Sequence, residues 1–431
     1  MHVVYLFADS QTEWNCSRWR CHLLSNSIEA AHEENPKHFP HRANMWQMQT
    51  ALDIHNPAVQ SKLGVADVMI WQRNVLDTPM YDACDYWRAL GKIVIADLDD
   101  HYANIPASNP AYPFWTTNVN EMDPIPVERL KEGLRHVDAL MSPSQVILDD
   151  WKDVAPGYLW PNYPALGDYQ KLPRREPGDP DIGFDYKMID DPDKPGEKKP
   201  EFVMAERSGT VGNIYIGWGG SISHVDSFFY SGVIPALRRL MGERPNVHFK
   251  LGGYDDRLNF MFDKLPKGQV VRQRGVDPSH WSQVVASFDI GIAPMDLREC
   301  ESVVGEAVGK SYDERRSALK LVEYVCAGVP FVATDCAPYK DLGRFGKLVT
   351  NTEDAWYDAL KSRIDGLRFF YDEAQKNRTY GLAKLTAEAN AERLIRLYTR
   401  IGEETQVRRL GARLPGVDYV DGEPEKEEVA A

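Results

Sequence analysis

At 431 residues, with 43% apolar and 26% charged residues, the chain is long enough for two domains with cores of their own. A formal charge of −14 argues against non-specific nucleic-acid binding, and no apolar run approaches the length of a membrane span. Six cysteines show neither zinc-ligand nor disulfide-framework spacing, so reduced thiols in a cytoplasmic protein are expected.

His2–Ala8 has too short an apolar run for a signal peptide and reads as a first strand. The polar loop Asp9–Asn15 leads to a helix around Arg18–Glu33, and Val65–Ile70 reads as a buried strand ahead of Arg73. Tyr81–Leu90 is expected to be a helix, turned by Gly91 into the strand Ile93–Ala96. Asp97, Asp99 and Asp100 follow at that strand's carboxyl end, where open α/β sheets bind ligands. Two carboxylates at i, i+2 can share a divalent ion, although capping of the next loop is the plainer reading, and no bound metal is expected. Pro106–Pro126 is aromatic and proline-rich, the composition of a lid or binding loop. Helices at Val127–Val137 and Gln145–Trp151 flank a strand at Ala139–Ser142.

Residues 167–209 carry six prolines and little apolar periodicity, and read as a linker or surface insertion. Alternation then resumes, with the strand Ile214–Gly217, the loop Trp218–His224 and a helix Ser227–Leu240. Strands at Val247–Leu251, Val270–Val271 and Ile290–Ala293 follow, with a helix at His280–Ser287. Such alternation in both halves predicts an α/β protein of two parallel, doubly wound domains facing across a cleft, at 1–166 and 210–375. Residues 376–410 are expected to form a helix packing back toward the first domain, and 411–431 a disordered acidic tail.

The most informative stretch is Ser311–Thr334. Ser311 and Glu314 form a capping-box pattern, so a helix is expected to open there. Ala318, Leu321, Val322 and Val325 make one apolar stripe; Arg316, Lys320 and Glu323 fall on the opposite one. Gly328 ends the helix and a strand follows. Two cations and a carboxylate presented together can hold a phosphorylated polyol, while a solvated face of charge pairs is the bland alternative.

In order and spacing, Ile216–Phe228, Asp289–Pro294 and Ala318–Tyr339 resemble the nucleotide-sugar half of GT-B glycosyltransferases, family 4 type. Ser17–Arg20, Asp67–Asn74, Gly91–Asp100, Val137–Trp151 and Leu159–Asn162 resemble the acceptor half. Phage-encoded enzymes of this kind are also similar. The resemblance implies Rossmann-like halves, a UDP- or GDP-linked sugar donor, an acceptor that is a glycan, a protein or a modified DNA base, retention of configuration, and no cofactor. It assigns the donor to Gly219, Gly220, Ser221, His224, Arg274, Gly275, Val276, Lys320 and Glu323. Lys320 would stabilise the departing diphosphate and Glu323 would bind the ribose hydroxyls. Asp100, Arg316 and Lys320 are the expected catalytic groups, and Arg20, Arg73, Asp97 and Asp99 the acceptor side. Family members often carry a glutamate where this chain has Arg315, which leaves open what meets the donor sugar; Arg316 or the Pro294–Asp296 loop are the substitutes. A DNA acceptor would require a basic groove from Arg18, Arg20, Arg42 and Arg73. A catalytically inactive GT-B module binding a nucleotide or glycan is the alternative.

Overall fold

The computed structural model describes residues 1–10, 15–117, 123–194, 197–220, 222–254, 256–299 and 311–410. Ser221, Trp14, Cys300 and the acidic tail lie outside the described residues. Two six-stranded sheets carry the architecture. The first contains β1 (His2–Phe7), β2 (Arg42–Gln47), β3 (Val68–Gln72), β4 (Ile93–Asp97), β5 (Ala139–Ser142) and β6 (Gly157–Leu159), in the order β2-β1-β3-β4-β5-β6. Every neighbouring pair is parallel. Parallel strands covered on both faces read as continuous apolar runs, which is why β3 and β4 were legible from sequence. β2, Arg42–Gln47, has mixed polarity and was not anticipated, because it is an edge strand and only Ala43 within it is buried.

Between the sheets, the stretch expected to be a linker folds instead as an antiparallel hairpin, β7 (Ile182–Asp190) and β8 (Lys198–Glu206). Its few inward side chains anchor it to the second half: the Gln273 side chain bonds the Phe184 backbone at 3.1 and 2.8 Å, and Phe202 stacks on His280 at 3.7 Å. A half-exposed hairpin carries too little apolar alternation to announce itself.

The second sheet comprises β9 (Ile214–Gly219), β10 (Val247–Tyr254), β11 (Val270–Arg274), β12 (Ile290–Ala293), β13 (Phe331–Thr334) and β14 (Lys347–Val349). Its order, β11-β10-β9-β12-β13-β14, is the doubly wound one, again parallel throughout. The helix expected over 227–240 is broken into Val225–Tyr230 and Val233–Glu243. Gly232 between them has φ 82°, and a Cβ there would sit 2.8 Å from the Thr352 carbonyl carbon. The last helix, Ala391–Arg409, crosses back and covers one face of the first sheet with Leu394, Ile395, Tyr398 and Ile401. The Tyr5 and Tyr398 hydroxyls are bonded there at 2.9 Å.

In an open sheet the strand order reverses direction at one point, and the crevice beyond the strand ends at that point receives ligands. Here the reversals lie between β1 and β3 and between β9 and β12. Asp9 and Arg73 follow the first pair; Gly219, at the end of β9, and Met295 mark the second. All four line one cavity of about 590 Å³ between the halves.

Candidate active site

The capping box of Ser311 and Glu314 forms as expected, with reciprocal bonds of 3.0 and 3.1 Å. It opens only a short turn, Asp313–Arg315, and the α-helix starts at Leu319. Arg316 therefore precedes the helix in extended backbone, and the expected stripe of Arg316, Lys320 and Glu323 on one helix is corrected to a cluster gathered from a turn and a helix. The amino end of that helix, through Ser317, Leu319 and Lys320, faces the cavity.

The cluster is not a solvated face. Glu323 is 5% exposed and Arg316 9%. Arg316 reaches Asp313 at 3.2 Å, the Ser223 carbonyl at 3.1 Å and both ring nitrogens of His224. Lys320 Nζ lies 3.1 Å from His224 Nε2. Burial and the two cations drive the His224 pKa far down, so its ring is neutral and can accept from one of them. Burial lowers Lys320 to about 8, with repulsion from Arg316 adding to it. Burial raises Glu323 to about 7 against the pull of Lys320; the Tyr169 hydroxyl donates to it at 3.1 Å and Trp281 provides a second side-chain bond. Tyr169 belongs to the helix Leu166–Gln170, whose Asp168 pairs with Arg18 at 2.5 Å, so adjacent residues touch both halves of the cleft.

Gly219 and Gly220 line the cavity, but the reason for glycine is crowding as much as access. A Cβ on Gly219 would be 2.2 Å from the Trp281 ring, and one on Gly220 2.6 Å from Trp218. The Gly220 amide turns toward the Gly252 carbonyl at 3.4 Å. Arg274 ends β11, Gly275 and Val276 follow it, and none of the three is among the cavity's lining residues; Arg274 is exposed and Val276 is packed in the core with Val284 and Phe288.

Across the cavity, the expected acceptor residues separate into two groups. Arg20 and Asp97 are fully buried and form a two-point ion pair at 2.7 and 2.8 Å. Arg20 also donates to the Trp160 carbonyl and to Asn162, both at 2.8 Å. This corrects their assignment: they brace the floor beneath the cavity and do not line it. Asp97 is thereby committed to Arg20 and does not join Asp99 in lining the cavity. Asp99, Asp100 and Arg73 do line the cavity. Arg73 has φ 47° and pairs with Asp9. Asp99 accepts from the Tyr102 hydroxyl at 2.9 Å. Burial pushes the Asp100 carboxyl up to about 6, opposed by Arg316 across the cavity, with Tyr312 hydrogen-bonded to it. His101 is 4% exposed and held neutral at about 3 by burial and Arg315.

Arg315 turns away from the cavity and pairs with Asp150 of the first half at 2.6 Å, so it joins the halves and is not poised at a donor sugar. The four arginines expected to line a basic groove are each paired with a carboxylate: Arg18 with Asp168, Arg20 with Asp97, Arg42 with Glu29 and Arg73 with Asp9.

Sequence reasoning missed Asp9, Asn162, Trp281 and Tyr169. Asp9 carried the same strand-end signal as Asp97–Asp100, whereas Trp281 and Tyr169 reach Glu323 only through tertiary packing.

No family model matches this sequence, and no curated protein matches it. Its fold does match solved structures. Sucrose-phosphate synthase from Thermosynechococcus elongatus aligns with TM-score 0.56 at 11% identity, over 94% of this chain and 99% of that one. A putative UDP-N-acetylglucosamine 2-epimerase from Listeria monocytogenes aligns with TM-score 0.45 at 12% identity, over 97% and 99%. TarM aligns with TM-score 0.48 at 12% identity, over 77% and 54%. Two parallel six-stranded sheets enclosing one cleft, with the likeness to the synthase, make this a GT-B fold of two Rossmann-like halves.

Proposed function

We propose that the protein is a glycosyltransferase that moves a sugar from a UDP- or GDP-linked donor to a hydroxyl of an acceptor. The observation that supports it most is the Arg316–Lys320 pair at a helix start, with Glu323 one turn on, facing Asp100 across the cavity. Two cations beside the helix amino end suit a diphosphate and stabilise the charge that builds on it as the glycosidic bond breaks. His224 keeps the two cations together without a charge of its own. An ionised Glu323 has hydrogen-bond capacity for ribose hydroxyls. Asp100, half-buried, accepts from the attacking hydroxyl and orients it. In this reading the configuration is retained and no bound metal takes part, as the likeness to family 4 enzymes implies. The cavity volume, about 590 Å³, is within the range that encloses a ligand of this size.

An inactive module would draw its support from Arg315 and the proline-rich stretch. Arg315 faces Asp150, and no residue of the hairpin lines the cavity. The test is a melting screen with UDP, GDP, ADP, TDP and their sugars, scored also for release of the nucleotide. A ligand at a hundred times its Kd adds about 2.7 kcal/mol. A shift with one base, plus slow release of its diphosphate, supports the transferase. A shift with no release in the presence of acceptor extracts favours the binding module, and no shift with any nucleotide removes the donor site.

A further inference from the structure

We infer that the first-half wall of the cavity takes an uncharged, polyhydroxylated acceptor, a sugar of a neutral glycan, and turns away polyanions such as DNA or phosphorylated polyol chains. The inference rests on the transferase reading and deepens it on the acceptor side. Among the described residues of that wall, Asp9, Asp99 and Asp100 supply three carboxylates against the one guanidinium of Arg73. That guanidinium is already engaged by Asp9. On the opposite wall the balance is reversed: two cations, Lys320 and Arg316 (the latter paired with Asp313 at 3.2 Å), stand against the one carboxylate of Glu323. The cavity is therefore divided electrically, with a cationic side that suits a diphosphate and an anionic side that repels a second phosphate.

What remains on the anionic side is hydrogen-bond acceptance and flat apolar surface. The Asp99 carboxylate is fixed by the Tyr102 hydroxyl at 2.9 Å and can accept from neutral hydroxyls. The half-buried Trp19 ring lines the cavity, and the Tyr102 and Trp115 rings, stacked on each other at 3.9 Å and almost fully buried, back the same wall. Fixed carboxylates beside aromatic rings match the alternating hydroxyl edges and C–H faces of a sugar. A nucleic acid would need free basic groups here, and each arginine of the first half that might serve is already paired with a carboxylate.

The experiment is calorimetric titration of the nucleotide-saturated protein with maltotriose, cellotriose, chitotriose and mannotriose. A hydroxymethylated single-stranded oligonucleotide, a glycerol-phosphate oligomer and a serine-rich peptide are run in parallel. The expected result is binding of at least one trisaccharide, with Kd changing less than about twofold between about 50 and 300 mM salt. Both polyanions should bind at least about tenfold more weakly. Asp99→Asn should weaken the trisaccharide about tenfold; should that variant not fold, the wild-type salt series still decides. Tight binding of either polyanion with steep salt dependence overturns the inference. So does peptide binding without sugar binding, or a nucleotide melting shift that survives while no sugar binds. Loss of the nucleotide shift itself strikes the transferase reading, and the inference falls with it.

Discussion

The two halves of the cleft share an architecture and differ in what they place at its rim. Both are six-stranded parallel sheets whose direction reverses at one point, and both open that point onto the same cavity. In the first half the rim residues are carboxylates at strand ends, Asp9, Asp99 and Asp100. In the second they are Arg316 and Lys320, carried by a turn and the start of a helix. Topology placed both rims on one cavity; under the proposed function the charge of a few residues decides which ligand goes to which side. The comparison also separates bracing from contact. Arg20 and Asp97 saturate one another beneath the first wall, while Lys320 meets the neutral His224 and keeps its charge toward the cavity; Arg316 shares that histidine and is also paired with Asp313 at 3.2 Å.

The largest expected effect tests the brace. Arg20→Leu leaves Asp97 buried without its cation, and unfolding in denaturant should show a loss of about 3–5 kcal/mol. A loss under about 1 kcal/mol would mean the pair does not hold the floor. On the second wall, Lys320→Ala or Glu323→Ala should abolish the nucleotide-induced stabilisation of about 2.7 kcal/mol while leaving the unliganded protein folded by circular dichroism. A shift that persists in both variants would move the donor elsewhere.

A pH series sharpens the contrast at smaller cost. In the proposed function the donor side needs Glu323 ionised and Lys320 protonated, and burial has brought their pKa values to about 7 and about 8. Falling pH protonates Glu323 and rising pH strips Lys320. The kcat/KM for the donor should therefore be bell-shaped with its summit near that window, declining toward tenfold per unit, about 1.4 kcal/mol, on each side. The two limbs belong to the interacting pair. A profile flat from pH 5 to 9 would rule out this pair as the donor contacts. The smallest effect is that of Tyr169→Phe, which removes one bond to Glu323. About 1 kcal/mol, or a fivefold rise in donor KM with kcat unchanged, is expected. A fall in kcat at constant KM would mean that the helix Leu166–Gln170 acts on the chemistry and not on the donor.

How much of this was legible follows from the range of the interactions. β4 with the acidic run after it, and the Lys320–Glu323 helix ended by Gly328 at φ 71°, were readable because period, capping and strand-end position are local. Gly219 and Gly220 were rightly placed at a βα turn, but the crowding of Trp281 and Trp218 that demands glycine there was invisible. The hairpin β7–β8 was missed because its anchors, the Phe184 backbone on the Gln273 side chain and the Phe202 ring on His280, lie far along the chain.

The sequence by itself determined the alternation of strands and helices, hence two doubly wound halves, and the residue types available at their rims. Only the tertiary structure decided which of those residues face the cleft. Asp97 and Asp99 are two positions apart at one strand end, yet one meets Arg20 in the interior and the other the cavity. Arg315 and Arg316 are adjacent, yet one clasps Asp150 and the other His224. Side-chain direction at a strand end or turn is local, but the partner waiting in that direction comes from another element. A charge is spent on structure or kept for a ligand according to that partner.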